Sequence, residues 1–511
     1  MNSSVVASYE RLKRIADKEY IAKSYNSALK CISVAAGIAN YYNFRYEDSD
    51  LEFLCKNIGK DFFEKKTSEF KIFSDLDHFT SKIVFYDCFA YDSRGLTQQY
   101  IRAIKHARLP FVFILNSDQC LTKNPDIKNE LLSCANAKII DISKIKSPEA
   151  KLFELISLIK QLSPSHVFLH MKPNDAVGVA AWSCYDGAKR YQINLTDHAF
   201  WLGTSCLDYL IEFRSYGAQI SSGCRGVHVD KILHLPFYPI TTSNDSFEEF
   251  PNVSEEIKIK IFSGGALYKF DGDNGEYFNL MKRVLDENHE VGLFIAGDGN
   301  RRTFNKFVMD NNYHNRVFML GNRNNISSIF KNIDIYVGSY PISGGLMSQL
   351  AAEYNVPLIQ YTREDLPINI IETLFPLKNK NIQLTFFDKD DFYQELRKLI
   401  KDKEYRQIRA LSLKNTIMNK LNFNESFKVL IENPESMKLN SINSYNISQD
   451  ILNEIYFEAA AVQSTNFMNR FLPTLYSLLK NDFTFFVIVL FGVVKSRKNL
   501  FKIISILKGA K

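Results

Sequence analysis

The stretch IDIYVGSYPISGGLMSQLAAEYNVPLIQ, residues 333–360, carries the pattern that decides the fold. It opens with a short, mainly apolar run that predicts a buried strand, and Ser343-Gly344-Gly345 then predicts the start of a helix. A second strand is predicted at 357–360, so the stretch is typical of a βαβ unit with parallel strands. The helix start would present free N–H groups and the positive end of its dipole, which together favour a diphosphate.

The same alternation of strands and helices extends towards the N-terminus. Apolar runs at 257–262, 291–296 and 317–320 precede helical patterns in the same domain. An earlier series of predicted strands lies at 82–89, 111–116, 138–141, 166–170, 191–195 and 209–213. The residues between the two series, 236–253, contain three prolines and little periodicity, which predicts a linker. The sequence therefore predicts an α/β protein with two Rossmann-like domains facing a cleft, an N-terminal helical layer and a C-terminal helical tail.

Three loops at predicted strand-to-helix junctions of the second domain have the residue types that bind an anion. Small residues let backbone N–H groups approach a phosphate, and a lysine adds a compact positive charge. The alternative for each loop is a plain tight turn with solvated side chains. Glu353, about two turns into the helix that begins at Gly345, could face a sugar or ribose hydroxyl. The candidate donor-binding residues are Gly264, Gly265, Lys269, Gly297, Asp298, Ser343, Gly344, Gly345 and Glu353.

In this order of loops, the second domain resembles the donor half of GT-B glycosyltransferases. It is most similar to the O-linked N-acetylglucosamine transferase catalytic region and its bacterial relatives. The residues that carry the resemblance are Leu267-Tyr268-Lys269-Phe270-Asp271, Asp334-Ile335-Tyr336, Tyr340-Pro341, Gly344-Gly345, Val356-Pro357 and the segment Lys231-Ile232-Leu233-His234-Leu235-Pro236.

The resemblance implies a nucleotide-sugar donor, with Lys269 on its diphosphate and Gly344-Gly345 at the helix start capping it. It implies no metal and no cofactor, so Asp271-Gly272-Asp273 is interpreted as turn residues. The sequence departs from the family at Leu350, where the family places a ribose-binding Asp, and the tandem helical repeats of the animal enzymes are missing.

With the resemblance, the chain divides into five predicted segments. They are a helical layer at 1–75, an acceptor domain at 76–240, a donor domain at 255–385, helices that pack back at 386–480, and an apolar and basic tail at 481–511.

The acceptor side should lie on loops that follow strands of the first domain. A general base for a sugar hydroxyl is most often a histidine or a carboxylate at such a strand end. His198, with Asp197 beside it, is the first candidate for catalysis, and His170 is the second. Trp201 is a candidate for stacking on a sugar ring, and Arg94 is a further candidate for acceptor binding. Each histidine could equally be structural.

Composition and charge limit the class of protein and its partners. The net charge of +6 equals the six basic residues of 495–511, so residues 1–494 are neutral. A nucleic-acid protein usually spreads its positive charge over a folded face, so no nucleic acid is expected. The eight cysteines form no C-x-x-C pair, which favours reduced thiols, and no signal peptide is visible at the N-terminus.

The tail after residue 482 predicts contact with a membrane surface. Its apolar run, 483–494, is too short to cross a bilayer, which needs about 20 residues. Basic and apolar faces at 495–508 are typical of an interfacial helix on an anionic leaflet. We therefore expect a cytoplasmic protein on the inner face of the cell membrane, with a buried core or dimer helix as the alternative.

The predicted function is glycosyl transfer, by a hexosyl- or N-acetylhexosaminyltransferase. The acceptor is expected to be a glycan, lipid-linked because of the tail, in bacterial surface polysaccharide biosynthesis. Protein O- or N-glycosylation is the alternative within the same class. A nucleotide-sugar epimerase and a non-catalytic carbohydrate-binding scaffold are the alternatives from other classes.

Overall fold

The computed structural model describes residues 3–64, 71–76, 82–92, 96–118, 121–241, 250–323, 325–375, 382–439, 442 and 444–459. These residues form two compact units. The first contains the described residues up to Leu235 and those of Leu421–Asn443. The second contains Pro236–Lys420 and the described residues from Ser444 onward. The division thus falls at the first residue of the linker predicted at 236–253. The predicted tail at 481–511 lies outside the described residues.

Three helices precede the first sheet. Their bounds are α1 Ser3–Ile21, α2 Tyr25–Tyr42 and α3 Ser49–Phe63. Helix α2 is rich in alanine and aliphatic residues, and its buried face packs on helices that cover the first sheet. The carboxylate of Asp48 accepts a hydrogen bond from the Leu51 backbone N–H (3.0 Å) and so caps the start of α3.

The first unit is built on a seven-stranded parallel sheet in the order β3-β2-β1-β4-β5-β6-β7. Its strands are β1 Ile83–Asp87, β2 Phe111–Leu115, β3 Ala137–Asp141, β4 His166–His170, β5 Lys189–Ile193, β6 Tyr209–Glu212 and β7 Ile232–His234. The helices between them are α4 Thr97–His106, α5 Pro125–Leu132, α6 Pro148–Leu162, α7 Ala176–Trp182 and α8 Ser215–Gly223. The strand order reverses between β1 and β4, the position where open α/β sheets bind ligands.

The second unit contains a six-stranded parallel sheet in the order β10-β9-β8-β11-β12-β13. Its strands are β8 Ile259–Gly264, β9 Val291–Ala296, β10 Val317–Gly321, β11 Ile335–Val337, β12 Leu358–Tyr361 and β13 Thr385–Phe386. Its helices are α9 Glu276–Glu287, α10 Arg302–Asp310, α11 Ile326–Phe330, α12 Gly345–Glu353, α13 Lys389–Lys401 and α14 Lys403–Lys414. Here the order reverses between β8 and β11. The predicted class, α/β with two Rossmann-like domains, is confirmed.

The sequence predicted that helices at 386–480 form one segment that packs back on the first domain. In the structure, the described helices after residue 386 are divided between the two units. The buried apolar face of α13 lies against β12 and β13, and Phe392 meets Tyr361 with ring centroids 6.0 Å apart. Helix α15, Lys420–Glu432, returns to the first sheet, where Phe427 packs on Phe168 at 5.0 Å and on Tyr100 at 5.8 Å. A further helix at 449–459 belongs to the second unit.

Among the described residues, no helix combines the length and the apolar character that a membrane span requires. Seven cysteines lie in the described part of the chain, and all of them are unpaired thiols.

Candidate functional site

The three loops predicted to bind a donor lie side by side at the carboxyl ends of β8, β9 and β11. Strands β8 and β11 are neighbours, so the loops after them flank the point where the strand order reverses. The loop after β9 is joined to the loop after β8 by backbone hydrogen bonds, from Gly265 N–H to Ala296 O (3.0 Å) and from Leu267 N–H to Asp298 O (3.0 Å). The fold therefore brings the loops that the sequence singled out separately into one site of the second unit.

Lys269 and the Gly-Gly loop are in direct contact. The Lys269 ammonium Nζ donates a hydrogen bond to the Ser343 carbonyl oxygen at 3.2 Å. Ser343 is the residue before Gly344, and α12 begins at Gly345. A lysine cation is therefore held next to the N-terminal end of a nine-residue helix. A positive side chain and a helix N-terminus at one point form the environment that stabilises a diphosphate.

Two glycines of this site are required by close backbone approach. A Cβ atom on Gly297 would lie 1.9 Å from the Gly265 carbonyl oxygen, closer than any two such atoms can come. Gly265 itself has a φ of 156°, a backbone conformation that residues with a Cβ rarely adopt. Neither position tolerates a side chain while the loops keep their packing. Asp298, by contrast, is exposed, and its carboxylate accepts a hydrogen bond from the adjacent Gly299 N–H.

Asn369, which sequence reasoning missed, holds the loop before α12 in place. Its side-chain oxygen accepts a hydrogen bond from the Ser343 N–H at 2.7 Å, and its Nδ2 donates to the Pro341 carbonyl at 2.8 Å. The side chain is fully buried and also bonds Thr362 Oγ1. No local sequence signal marks Asn369, because its partners are 26 and 28 residues away in the chain.

The position where the resembled family has a ribose-binding Asp is part of the core here. Leu350 is 3% exposed and sits on the buried side of α12. Glu353 is the last residue of the same helix. It lies about 12 Å along the axis from Gly345 at the usual rise per residue, so it occupies the helix end opposite the predicted diphosphate site. A contact from Glu353 to a ribose hydroxyl stays a prediction.

The Asp-x-Asp sequence at 271–273 is held by protein partners. The Tyr340 hydroxyl donates to the Asp273 carboxylate, and an Arg363 nitrogen lies 3.6 Å from that carboxylate. Within the described residues, no group of three or more His, Cys, Asp or Glu side chains is placed to hold a metal ion.

His198 and Asp197 form a polar pair in the first unit, on the loop after β5. His198 Nδ1 lies 2.9 Å from Asp197 Oδ1, and the histidine side chain is 34% exposed. Asp197 is buried and also accepts hydrogen bonds from Arg214 Nε and Nη2. Burial opposes ionisation of Asp197, but the Arg214 charge and the His198 hydrogen bond outweigh it and hold the pKa well below its usual range. A permanently ionised carboxylate would hold the His198 ring in one orientation, as a general base requires.

Glu212 lies beneath this pair, at the end of β6. Its Oε1 accepts hydrogen bonds from Asn194 Nδ2 (2.8 Å) and Ser221 Oγ (2.5 Å), while its Oε2 is buried with no hydrogen-bond partner. Burial, together with the nearby Asp197 charge, raises the pKa of Glu212 to about 7. The neighbourhood of His198 therefore contains one carboxyl that stays charged and one that titrates near neutral pH.

His170 is a buried structural residue, contrary to its prediction as a second catalytic candidate. Register pairs it with Asp87 across β1 and β4, and its Nδ1 lies 2.8 Å from Asp87 Oδ1. Both side chains are fully buried, and Thr97 Oγ1 donates to the other Asp87 oxygen at 2.8 Å. A ring closed off from solvent in this way cannot receive a proton from a substrate hydroxyl.

Trp201 is also a core residue, and the prediction that it stacks on a sugar is wrong. Its ring is 3% exposed and packs in a cluster with Leu210 and Ile232, with the Arg225 guanidinium 5.2 Å from the ring centroid. The remaining acceptor candidate, Arg94, lies outside the described residues.

The architecture is similar to that of solved proteins whose sequences differ widely from this one. No family model matches the chain, and no curated protein matches it in sequence. Among solved structures, Anabaena HepE in complex with UDP and glucose aligns over 69% of this chain and 100% of its own, with a TM-score of 0.50 and 11% identity. A glycosyltransferase from Rickettsia africae aligns over 71% of this chain and 100% of its own, with a TM-score of 0.50 and 13% identity. The fold is GT-B.

The resemblance seen in the sequence is therefore confirmed at the level of the fold. An O-GlcNAc transferase of Thermobaculum terrenum aligns over 89% of this chain at a TM-score of 0.47 and 13% identity, a score on which we rest no argument. In this GT-B fold, the predicted donor loops lie in the second Rossmann-like unit, and the His198–Asp197 pair lies in the first.

Proposed function

We propose that the protein is a glycosyltransferase that moves a sugar from a nucleotide-sugar donor to a glycan acceptor. The observation that carries the proposal is the meeting of Lys269 with the Ser343-Gly344-Gly345 loop at the reversal point of the second sheet. A nucleotide sugar leaves a nucleoside diphosphate behind, and the developing charge must be stabilised by fixed donors. Lys269 and the α12 N-terminus supply such donors. The GT-B fold, and the UDP bound by HepE, support the same assignment.

His198 is proposed as the general base. Asp197 engages its Nδ1, and we assign to its Nε2 the role of accepting the proton of the acceptor hydroxyl. Arg214 holds Asp197 in place and charged, which makes Arg214 and Asp197 positioning residues for His198. No metal and no cofactor enter this proposal. The transferred sugar is proposed to be a hexose or an N-acetylhexosamine.

The acceptor is proposed to be lipid-linked, in bacterial surface polysaccharide assembly, because the tail at 481–511 has adjoining apolar and basic stretches. Protein glycosylation is the alternative, supported by the sequence resemblance at Lys269 and Gly344-Gly345. Trials with a lipid-linked glycan and with an unfolded polypeptide as acceptors would separate the two.

The test of the proposal is incubation with a panel of nucleotide sugars, with nucleoside diphosphate release as the readout. We expect release with one donor, and a large loss of release in Lys269→Met. The matched control is Lys306→Met, which removes an exposed lysine of the same unit. Interconversion of the nucleotide sugar without release would favour an epimerase. Absence of release, interconversion and nucleotide binding would favour a scaffold and would reject the proposal.

A further inference from the structure

A pocket lies within the first unit, and His198 is not among its lining residues. It has a volume of about 360 Å³, within the usual range for small-molecule sites. Its floor is formed by Cys88 after β1, Asn116 after β2, and Lys172 and Asp175 after β4. These are the strand ends on either side of the point where the order of the first sheet reverses. Open α/β sheets bind ligands at that point, so this is a position where a site is expected.

The pocket wall carries an excess of positive charge. Four lysines line it, Lys30 from α2, Lys146 from the loop before α6, Lys151 from α6 and Lys172, against two carboxylates. No arginine belongs to its described lining. Lysine is a compact point charge that binds phosphate without the planar two-pronged geometry of arginine. Four lysines in one pocket therefore favour an anion such as a phosphate.

The two carboxylates do not neutralise the four lysines. The Asp175 carboxylate accepts hydrogen bonds from Tyr86 Oη at 2.7 Å, from Cys88 Sγ at 3.1 Å and from the Gly178 N–H at 3.0 Å. It is thus occupied by neutral donors of the fold. Asp118 pairs with Lys172 at 2.7 Å, but its side chain is 73% exposed. Such exposed ion pairs are weak and open easily to a competing anion.

Among the residues that the structure describes, three of the lysines form no ion pair with a carboxylate. Lys151 Nζ donates to the neutral Asn116 Oδ1 at 2.7 Å, and burial lowers the pKa of this lysine. Within the described residues, Lys30 and Lys146 form no ion pair. Binding an anion would therefore add charge-assisted contacts to Lys30, Lys146 and Lys151 without breaking existing ion pairs of these three residues.

We propose that this pocket binds the phosphate of a small phosphate ester. The phosphate lies among Lys30, Lys146 and Lys151, and the organic part lies against Pro148 and Val177, which also line the pocket. The ester has two possible sources, a phosphorylated acceptor or a separate phosphorylated metabolite that regulates the protein. The site stands independently of the proposed glycosyl transfer, because it is measured by binding alone.

Titration calorimetry of the full chain with glucose 1-phosphate, inorganic phosphate and glucose tests the site. We expect glucose 1-phosphate to bind, glucose not to bind, and added salt to weaken binding. In Lys151→Met and in the double variant Lys30→Gln/Lys146→Gln, the dissociation constant should rise by about tenfold or more. The double variant changes only side chains at the pocket edge, so it keeps the test valid if Lys151→Met does not fold.

Two control variants locate the binding. Lys123→Gln/Lys128→Gln removes the same charge from exposed positions of the same unit and should leave the affinity unchanged. Lys269→Met removes the predicted donor lysine and should leave it unchanged as well. The proposal is overturned if none of the phosphate compounds binds, if the double variant binds as tightly as the parent, or if Lys269→Met is the variant that abolishes binding.

The source of the phosphate is then read from a reaction with the active nucleotide sugar. A glycosylated sugar phosphate among the products supports the site as one for the acceptor. A changed rate without such a product supports it as one for a regulator. If no nucleotide sugar reacts, the proposed function fails while the binding results above still decide the pocket.

Discussion

At the scale of single residues, the exposed face of His198 is the feature most open to test. Replacing His198 with Gln removes the proposed base, so the turnover number should fall by about 100-fold to 10,000-fold, with nucleotide affinity unchanged. The measurement is nucleoside diphosphate release under saturating donor, with calorimetry of nucleotide binding alongside.

His228 provides the matched control for His198. It also lies near a carboxylate, with Nδ1 3.2 Å from Asp230 Oδ2, but both side chains are 73% exposed. His228→Gln should leave turnover unchanged. Equal losses in the two variants would contradict a specific role for His198.

Glu212 gives the first unit a predictable pH dependence. Its pKa is raised to about 7 in the folded protein, above the ordinary value for an unfolded chain of about 4.3. The folded state therefore favours the protonated form. The stability that this proton contributes is complete below the unfolded pKa and is lost as the pH rises through about 7.

The expected result is a free energy of unfolding that decreases by roughly 2 to 3 kcal/mol between about pH 5 and pH 8 because of Glu212. Glu212→Gln resembles the protonated form and should lose this part of the dependence. Urea unfolding at both pH values measures it, with the exposed Glu256→Gln as the control. A Glu212→Gln variant whose pH dependence matches that of the parent would refute the assignment.

The same residue scale shows what sequence reasoning could not reach. Trp201 is an aromatic residue in a loop after a strand, which is also the pattern of a sugar-binding platform. Its burial depends on Arg225 and Ile232, which are 24 and 31 positions further along the chain, and no local pattern predicts that packing. His170 was misjudged for the same reason, since its partner Asp87 lies 83 residues away.

At the scale of elements, a buried carboxylate is one of the groups that join the N-terminal helical layer to the loop before β6. Glu52 of α3 is buried, and its two oxygens accept the backbone N–H groups of Gly203, Thr204 and Ser205 and the Ser205 hydroxyl. Glu52→Ala would leave three backbone donors without their acceptor. We expect the free energy of unfolding to fall by roughly 3 kcal/mol, measured by urea unfolding.

Asp50→Ala on the same helix is the control for Glu52. The Asp50 side chain is 80% exposed, and its contact is an ion pair with Lys13. Its loss should cost less than about 1 kcal/mol. Equal losses of stability in the two variants would contradict the role of Glu52 in holding the helical layer to the first unit.

The glycine loops of the second unit support a test at the same scale. Gly297→Ala would push a Cβ into the Gly265 carbonyl oxygen and separate the loops after β8 and β9. We expect nucleotide affinity to fall by about tenfold or more, since each factor of ten needs only about 1.4 kcal/mol. Gly223→Ala is the control, because a Cβ there meets nothing within 4 Å. Unchanged affinity in Gly297→Ala would show that the loop packing is not needed for binding.

The sequence located these loops correctly because each one is a local pattern, an apolar strand followed by small residues. What it could not supply is their arrangement. The contact between Lys269 and Ser343 spans 74 residues and follows from the pairing of β8 with β11. Asn369, which holds that loop, is an ordinary polar residue in the sequence and gains its role only through the same pairing.

At the scale of the whole molecule, the parallel sheets were predictable from the alternation of apolar strands with helices. The division of the last helices between the units was not. Helices α13, α14 and α15 follow one another in the chain, yet only α15 of these three joins the first unit. The packing of α15 on the first unit is explained by Phe423 and Phe427. Their rings contact Tyr100 of α4, and Phe427 also contacts Phe168 of β4. The spacing of apolar residues within one helix does not predict aromatic packing between segments that are far apart in the chain.

The charge distribution of the whole chain leads to the last prediction. All of the net charge of +6 is carried by 495–511, next to the apolar run at 483–494. We expect the full chain to sediment with vesicles that contain anionic phosphatidylglycerol and to remain in the supernatant with neutral phosphatidylcholine vesicles. Added salt should release it, because the attraction between basic side chains and anionic lipid is screened.

Two variants separate charge from apolar contact in the tail. Truncation before residue 481 should abolish sedimentation, and replacing the six basic residues of 495–511 with Gln should weaken it while leaving the apolar run intact. Each basic residue near an anionic surface contributes about 1 kcal/mol, so the loss of all six is decisive. If the truncated chain sediments as the full chain does, the tail is not the membrane-binding element. If the full chain stays in the supernatant as a dimer that truncation dissociates, the tail is a dimer helix instead.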